Sequence, residues 1–226
     1  MPSKTFFITG IDTDAGKTFA ACALLQAANK RGLTTAAVKP IAAGGIPVDG
    51  DMENLHNDDA LLLQKLCTLS LRYEEVNPLC LEQAIAPHIA AQQQGVKIQA
   101  QALANHCKTI MDKNADLMLI EGAGGWMVPL NQSEFVGDIV KILKIPVILV
   151  VGMKLGCLNH ALLTVKAIQE EGLVLHGWIA NQLDPEMPVF KENLDTLQKK
   201  ITAPLIATIP WAYDIESGNL PIDGIL

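Results

Sequence analysis

The sequence predicts a single-domain, three-layer α/β fold over residues 1–226, a mostly parallel sheet with helices on both faces. Three observations predict it. Short apolar runs rich in β-branched residues alternate with longer helix-type runs along the chain. The run from Ile145 to Val151 suits a strand buried on both faces and is too short to span a bilayer. Half of the 226 residues are hydrophobic while only 4% are aromatic, so the core must be built from Leu, Ile, Val and Ala. No repeat, low-complexity segment or interdomain linker interrupts the pattern.

The first strand is Thr5-Phe6-Phe7-Ile8-Thr9. It leads into Gly10-Ile11-Asp12-Thr13-Asp14-Ala15-Gly16-Lys17-Thr18, and a helix-type run from Phe19 to about Lys30 follows, stopped by Gly32. A strand, a glycine-bearing loop ending in Gly-Lys-Thr, then a helix is the setting of the phosphate-binding loop of P-loop NTPases. The loop N–H groups and the helix N-terminus attract phosphate oxygens. Lys17 adds a full charge, and the Thr18 hydroxyl suits a Mg²⁺ ligand. Gly10 sits one residue early for the usual spacing, which leaves Ile11 in the place of the first glycine.

Thr34 to Val38 reads as the second strand and ends on Lys39-Pro40. A lysine there faces either solvent or the crevice at the carboxyl ends of the strands. Ile46 to Asn57 is polar with Gly and Pro, and reads as a loop. Asn57-Asp58-Asp59 precedes an apolar helical run, a cap signal. Asp59 is then either a first-turn acid favoured by the helix dipole or a Mg²⁺ ligand. Tyr73 to Leu81 reads as extended or irregular. Pro87 opens a short helix that Gly95 ends, and a longer helix runs from Gln99 to Lys113. His88 and His106 lack evident partners and read as structural.

Asp116 to Ile120 is the third strand, ending in Glu121-Gly122-Ala123-Gly124-Gly125-Trp126. The acid either balances a metal beside a nucleotide or sits in a plain tight turn. A helix over 136–144, a strand over 147–151, and a loop over 152–160 entering a helix over 161–170 come next. The N-terminus of that helix is a second candidate anion site. Leu175 to Asn181 is a strand whose last side chain can pair with a base edge or simply end the strand in a turn. An amphipathic helix over 189–201 and a last core strand over 204–209 lead to Pro210-Trp211-Ala212. Trp211 either covers a nucleotide or fills apolar space.

A net charge of −7 argues against a nucleic-acid or anionic-membrane partner, which would need cationic patches. Cys22, Cys67, Cys80, Cys107 and Cys157 are scattered and never form Cys-x-x-Cys. Reduced thiols in the cytoplasm are expected rather than disulfides or a zinc site. Met1-Pro2-Ser3-Lys4 leads straight into the first strand, so no secretory segment is expected.

Several stretches together resemble the dethiobiotin synthetase family. They are Gly10 to Thr18, Val38-Lys39-Pro40, Asn57 to Leu61, Ala86-Pro87-His88, Glu121 to Trp126, Lys154 to His160, Gly177 to Asn181, and Ile209-Pro210-Trp211. They fall in order across nearly the full length, and the long spacing of the phosphate loop is this family's form. The resemblance implies ATP-dependent carboxylation and ring closure of 7,8-diaminononanoate with CO₂, yielding dethiobiotin, ADP and phosphate. It implies Mg²⁺ held through Thr18, Asp59 and Glu121, with Lys17 and Lys39 as catalytic cations. It implies ATP contacts at Asp14, Ala15, Gly16, Lys17, Thr18, Phe19, Asp59, Glu121, Gly122, Ala123 and Gly124, with adenine at Asn181, Gln182, Pro210, Trp211 and Ala212. Substrate contacts are implied at Thr13, Lys39, Ala43, Leu155, Gly156, Cys157 and Asn159, the last four across the interface of a homodimer. One departure stands out: Ala43 occupies the position of a family serine. The missing hydroxyl removes a hydrogen bond worth about 1 kcal/mol.

An ATP-driven switch of the partitioning or cell-division-site class is the alternative on the same fold. Such proteins add a second lysine early in the phosphate loop, and no lysine lies between Gly10 and Gly16 here. A kinase acting on a hydroxyl acceptor would leave Lys39 and the 152–160 loop without a joint explanation.

Overall fold

The structure, a computed structural model, describes residues 3–226. In chain order the elements are β1 (Lys4–Gly10), α1 (Lys17–Lys30), β2 (Thr35–Val38), β3 (Ala42–Ala43), β4 (Ile46–Val48), β5 (Asp51–His56), α2 (Asp58–Leu66) and α3 (Tyr73–Val76). They continue with β6 (Cys80–Leu81), α4 (Pro87–Gln94), α5 (Ala100–Met111), β7 (Leu117–Gly125), α6 (Val136–Leu143) and β8 (Val147–Met153). The last are α7 (Cys157–Glu170), β9 (Leu175–Gln182), α8 (Phe190–Lys200), β10 (Leu205–Ile209) and a 3₁₀ turn at Ile215–Ser217.

Six strands form one sheet in the order β10-β9-β8-β1-β7-β2, and every neighbouring pair is parallel. All seven residues of β8 are buried, as a strand covered on both faces requires. Alanines at 20, 21, 23, 27 and 28 bury the inner side of α1, where small side chains let the helix approach the sheet closely. The connection leaving β1 runs towards β2, whereas the one leaving β7 returns past β1 to β8. The two diverge between neighbouring strands, and ligands bind open α/β sheets at such a switch point, beyond the strand carboxyl ends.

Four local expectations give way to the structure. The 46–57 stretch is an antiparallel β4–β5 hairpin, not a loop. Its turn holds Asp49 at φ 52° and Gly50 at φ 80°, the left-handed pair a two-residue hairpin turn demands. Tyr73 to Leu81 contains the helical turn α3 before β6, which pairs in parallel with β3. Helix α7 starts at Cys157, so Cys157 to His160 belong to its first turn. The strand carrying Glu121 also continues to Gly125, paired with Gly10 of β1. The tail folds back on the core, burying Leu220, Ile222 and Ile225, with Arg31 pairing Asp223 at 2.7 Å.

Candidate active site

Backbone register brings the site together before any side chain is considered. Val38 of β2 lies opposite Ile120 of β7, and Ile8 of β1 lies opposite Glu121. The next residue after β2 is Lys39, so it emerges beside Glu121. Asp59 arrives in the first turn of α2, whose N-cap is Asn57: the Ala60 N–H donates to Asn57 Oδ1 at 3.3 Å.

The side chains converge. Lys39 Nζ donates to Glu121 Oε1 at 2.6 Å and to Asp59 Oδ2 at 2.7 Å. Thr18 Oγ1 donates to the same Glu121 Oε1 at 2.7 Å. Lys39 is 5% exposed and Glu121 1%, so the lysine at the strand exit faces the crevice, not solvent. Burial works against the Lys39 charge, but Glu121 and Asp59 outweigh it and hold its pKa above the ordinary lysine value. Lys17 lies deep in the loop, donating to Asp12 O at 3.1 Å. Burial lowers its pKa, opposed by Glu121 and reinforced by the nearby Lys39 charge.

The loop itself is shaped by Gly16, at φ 82°. A Cβ there would lie 2.0 Å from Asn181 Nδ2, so glycine is required twice over, by conformation and by contact. Asn181 Nδ2 donates to Ala15 O at 3.1 Å, tying the end of β9 to the phosphate loop.

A cavity of about 1190 Å³ opens over these groups. Thr13, Asp14, Gly16, Lys17, Thr18, Phe19, Lys39, Ala43, Asp59, Glu121, Ala123 and Gly124 all line it. The remaining sequence-predicted residues lie elsewhere. Ala15 and Asn181 are buried under the loop. A Cβ on Gly122 would meet Phe7 and Val136, so this glycine serves sheet packing. Gln182 and Trp211 meet each other beside β9 and β10, the Trp211 N–H donating to Gln182 Oε1 at 3.3 Å, and the Trp211 ring is exposed. Pro210 and Ala212 flank that contact on the surface.

Leu155, Gly156, Cys157 and Asn159 stand away from the large cavity. Leu155 is 99% exposed, Gly156 takes φ 94° ahead of α7, and Cys157 is buried. A second hollow of about 300 Å³ lies near them, between Asp12, Thr13, Trp126 and Leu163. Thr13 lines both spaces.

Sequence reasoning gave no role to Asn57 beyond its cap, to the 84–87 stretch as a cavity wall, or to Ile215 and Glu216 at the cavity's far end. The Ala86-Pro87 signal was present as a helix start; the rest needs tertiary placement. His106 is structural as expected, its Nε2 2.8 Å from Glu75 O. Cys22 lines the cavity, but burial pushes its thiol up to about 12, so it stays protonated.

The donor set fits Mg²⁺. Glu121 Oε2 is buried without a hydrogen-bond partner, and Thr18, Asp59 and Glu121 present hard oxygens. Among the described residues no group of three or more His, Cys, Asp or Glu gathers to hold a metal.

Comparison with known proteins decides the family. A family model described as an AAA domain matches residues 4–218. The ATP-dependent dethiobiotin synthetase BioD of Cellvibrio japonicus is 53% identical over 230 residues, covering 100% of this chain and 99% of that protein. This chain belongs to the ATP-dependent dethiobiotin synthetase family. The synthetase of Marinobacter nauticus is 45% identical, with 98% of this chain and 94% of the relative covered. The synthetase of Pseudomonas aeruginosa strain UCBPP-PA14 is 48% identical, with 91% and 89% covered.

Solved structures share the fold. The septum site-determining protein MinD of Pyrococcus horikoshii, complexed with Mg-ADP, superposes with TM-score 0.51 at 17% identity, covering 98% of this chain and 86% of that one. A ParA family ATPase of Chlorobium tepidum gives 0.53 at 16%, covering 99% and 92%. These are proteins of the switch class weighed above, and at such identity the likeness is one of architecture. The dethiobiotin synthetase relatives, at 45–53%, set the family instead.

Proposed function

We propose that this chain is an ATP-dependent cyclo-ligase that converts 7,8-diaminononanoate and CO₂ into dethiobiotin, releasing ADP and phosphate. The observation that carries the reading is the buried meeting of Lys39, Glu121, Asp59 and Thr18 beside the phosphate loop. The names of its relatives support the ATP dependence and the product. Residues 1–226 act as one catalytic unit.

One amine of the substrate takes up CO₂ as a carbamate, losing a proton. A carbamate oxygen then attacks the γ-phosphorus of ATP and ADP leaves, giving a carbamic–phosphoric anhydride. The second amine attacks the anhydride carbonyl, phosphate leaves with the bonding electrons, a proton is lost, and the ureido ring closes. Carbamate and γ-phosphate are both anionic, so the chain must supply cations where they meet. Lys17 and Lys39 supply them: Lys17 at the outer phosphates, Lys39 between phosphate and carbamate. The hold of Glu121 and Asp59 on Lys39, and of the Asp12 carbonyl on Lys17, supports a role in positioning. Thr18, Asp59 and Glu121 would hold Mg²⁺, which would supply neutralising charge for the phosphates.

Asp14 to Phe19 and the Gly122 to Gly124 turn surround the phosphates. Asn181, Gln182 and Pro210 to Ala212 take the adenine. Thr13 and the backbone at Ala43 receive the diamine. The carboxylate tail goes to Leu155 to Cys157 and Asn159 of a second copy in a homodimer. Exposed Leu163 and Met127 beside the smaller hollow, and exposed Leu155 ahead of α7, support that interface. No described helix is long and apolar enough to cross a membrane. We place the reaction in the cytoplasm, where the five free thiols stay reduced.

The direct test incubates purified protein with MgATP, bicarbonate and 7,8-diaminononanoate, and seeks dethiobiotin by mass spectrometry. ADP release should require both diamine and bicarbonate. Steady ATP turnover without diamine, stimulated by DNA or lipid, would replace this reading with the switch class.

A further inference from the structure

The Lys39–Asp59 ion pair joins two segments that no regular sheet pairing connects, and a chain of buried polar groups runs between them. Lys39 leaves the edge strand β2, while Asp59 sits on α2. Asn77 Nδ2 donates to Lys39 O at 2.6 Å and to Leu79 O at 3.3 Å. The Tyr73 hydroxyl donates to Asn77 Oδ1 at 2.9 Å. The Tyr73 hydroxyl oxygen accepts from the Asn57 backbone N–H at 2.7 Å. Asn57 Oδ1 in turn caps α2, and its Nδ2 donates to Ala43 O at 3.3 Å. His56 stacks on the Tyr73 ring at 3.7 Å, pinning it from one side.

The loop of contacts is closed. From Lys39 it runs through Asn77, Tyr73 and Asn57 to the start of α2, then through Asp59 back to the Lys39 ammonium. Asn57 and Asn77 are themselves buried, so each missing bond would leave a desolvated polar group. A surface turn needs no such circuit. The Lys39 N–H already donates to Val76 O at 2.8 Å, which suffices to dock the backbone. The added polar links fix something finer, the direction in which Lys39 and Asp59 face each other.

We propose that Asn57, Tyr73 and Asn77 are positioning residues for the ring-closing reaction, with the Tyr73 hydroxyl as the keystone that sets Lys39 against Asp59 and holds the Ala43 carbonyl. The inference rests on the synthetase reading for the reaction, but the brace has a readout of its own. The phosphate loop takes no part in the circuit, so nucleotide affinity without metal is independent of it. Asp59 and Lys39 are in it, so the metal dependence and the chemical step are not.

The test compares the full-length protein with Tyr73→Phe, which keeps the ring stack and removes only the hydroxyl. A second variant, Asn57→Ser, keeps an N-cap oxygen and removes the donor to Ala43. Two measurements are made at 25 °C: the enhancement of ADP affinity by Mn²⁺, by titration calorimetry, and steady-state dethiobiotin formation. Tyr73→Phe should lower kcat about tenfold with KM for ATP within twofold, and should reduce the Mn²⁺ enhancement about threefold with metal-free ADP affinity unchanged. Asn57→Ser should move the same quantities in the same direction by smaller factors. If both variants keep kcat and the Mn²⁺ enhancement within experimental error while only melting earlier, the circuit is structural and the proposal fails. If the wild-type protein forms no dethiobiotin yet Tyr73→Phe still loses Mn²⁺ enhancement, the synthetase reading fails and the brace stands.

Discussion

Two ion-pair clusters in this molecule are built from the same chemical groups in inverted proportion. In the first, one cation meets two carboxylates: Lys39 with Glu121 and Asp59. In the second, the central carboxylate meets two cations, Glu75 with Lys113 at 2.9 Å and Arg72 at 3.3 Å, and Arg72 reaches Glu74 as well at 2.7 Å. The first has its core in the crevice, with Lys39 5% and Glu121 1% exposed, and only Asp59, at 45%, reaches the open cavity. In the second, Arg72 is 72% exposed and Lys113 39%. Charges in water associate weakly, and their removal is cheap. Charges out of water are expensive to place, and an apolar replacement of the whole set would stabilise a fold at least as well. The buried set is thus weak as a source of stability and is the one that the proposed phosphoryl transfer would use, while the exposed set ties α3 to the end of α5.

Breaking the buried cluster should have the largest effect. Lys39→Ala removes the cation between phosphate and carbamate and leaves Glu121 as a buried carboxylate. Without a bound metal the protein should lose about 3–5 kcal/mol of stability. The kcat should fall at least about 10²–10³-fold, with much of the ATP affinity retained through the phosphate loop. Chemical denaturation and single-turnover kinetics read the two effects separately. Unchanged turnover would take Lys39 out of the mechanism and reduce the buried cluster to a structural one.

Much of this was legible in the sequence, and the division is physical. The phosphate loop is contiguous, so Gly16, Lys17 and Thr18 announce themselves between a strand and a helix. Helix α2 announces itself too, through Asn57 at its cap. The approach of Lys39 to Glu121 is a different matter, because it depends on Val38 pairing with Ile120 across β2 and β7. Local pattern leaves Lys39 equally suited to solvent. Tyr73 and Asn77 carried no signal, since a hydroxyl four residues before an amide means nothing until α3 turns the chain. The β4–β5 hairpin did carry one. Asp49-Gly50 is a strong two-residue turn pair, but Pro47 and the polar flanks masked it. The glycines after Glu121 hid the continuation of β7 in the same way.

The two site lysines sharpen the comparison within the crevice: burial works against both charges, and only at Lys39 do neighbouring acids outweigh it, so the two pKa values move in opposite directions. Lys39 has acids in contact, and its pKa is raised. The stability from its charge is complete below the unfolded lysine value and is lost as pH climbs through the higher folded value. Lys17 has no acid in contact, and burial lowers its pKa below 10.5. Between those two values the unfolded chain binds more protons at Lys17 than the folded one, so this group makes stability rise with pH there. In the free enzyme Lys17 loses its proton first. The alkaline limb of kcat/KM for ATP should therefore bend below pH 10.5. The limb of kcat should bend higher, because bound phosphate restores the Lys17 charge. A pH–rate series at saturating and limiting ATP checks this. Coincident limbs at or above the free-lysine value would mean that Lys17 is not the desolvated partner of the phosphates.

The exposed cluster should yield the smallest response, and its sign is opposite on the pH axis. The Lys113 hydrogen bond, aided by the Arg72 backbone N–H, holds the Glu75 carboxyl down to about 2. A depressed carboxylate contributes stability above its unfolded value, near 4.5, and loses it as pH falls through about 2. Lys113→Met should destabilise the protein by less than about 1 kcal/mol at neutral pH, less still at high salt, and leave kcat unchanged. The difference from wild type should shrink as pH falls from 4.5 towards about 2, where the wild-type Glu75 takes up its proton. Denaturation of the two proteins at pH 7 and at the lowest pH where both remain folded tests the point. A loss as large as that of Lys39→Ala would mean that Glu75 holds α3 in place for Tyr73, and that the exposed cluster reaches the buried one through the helix between them.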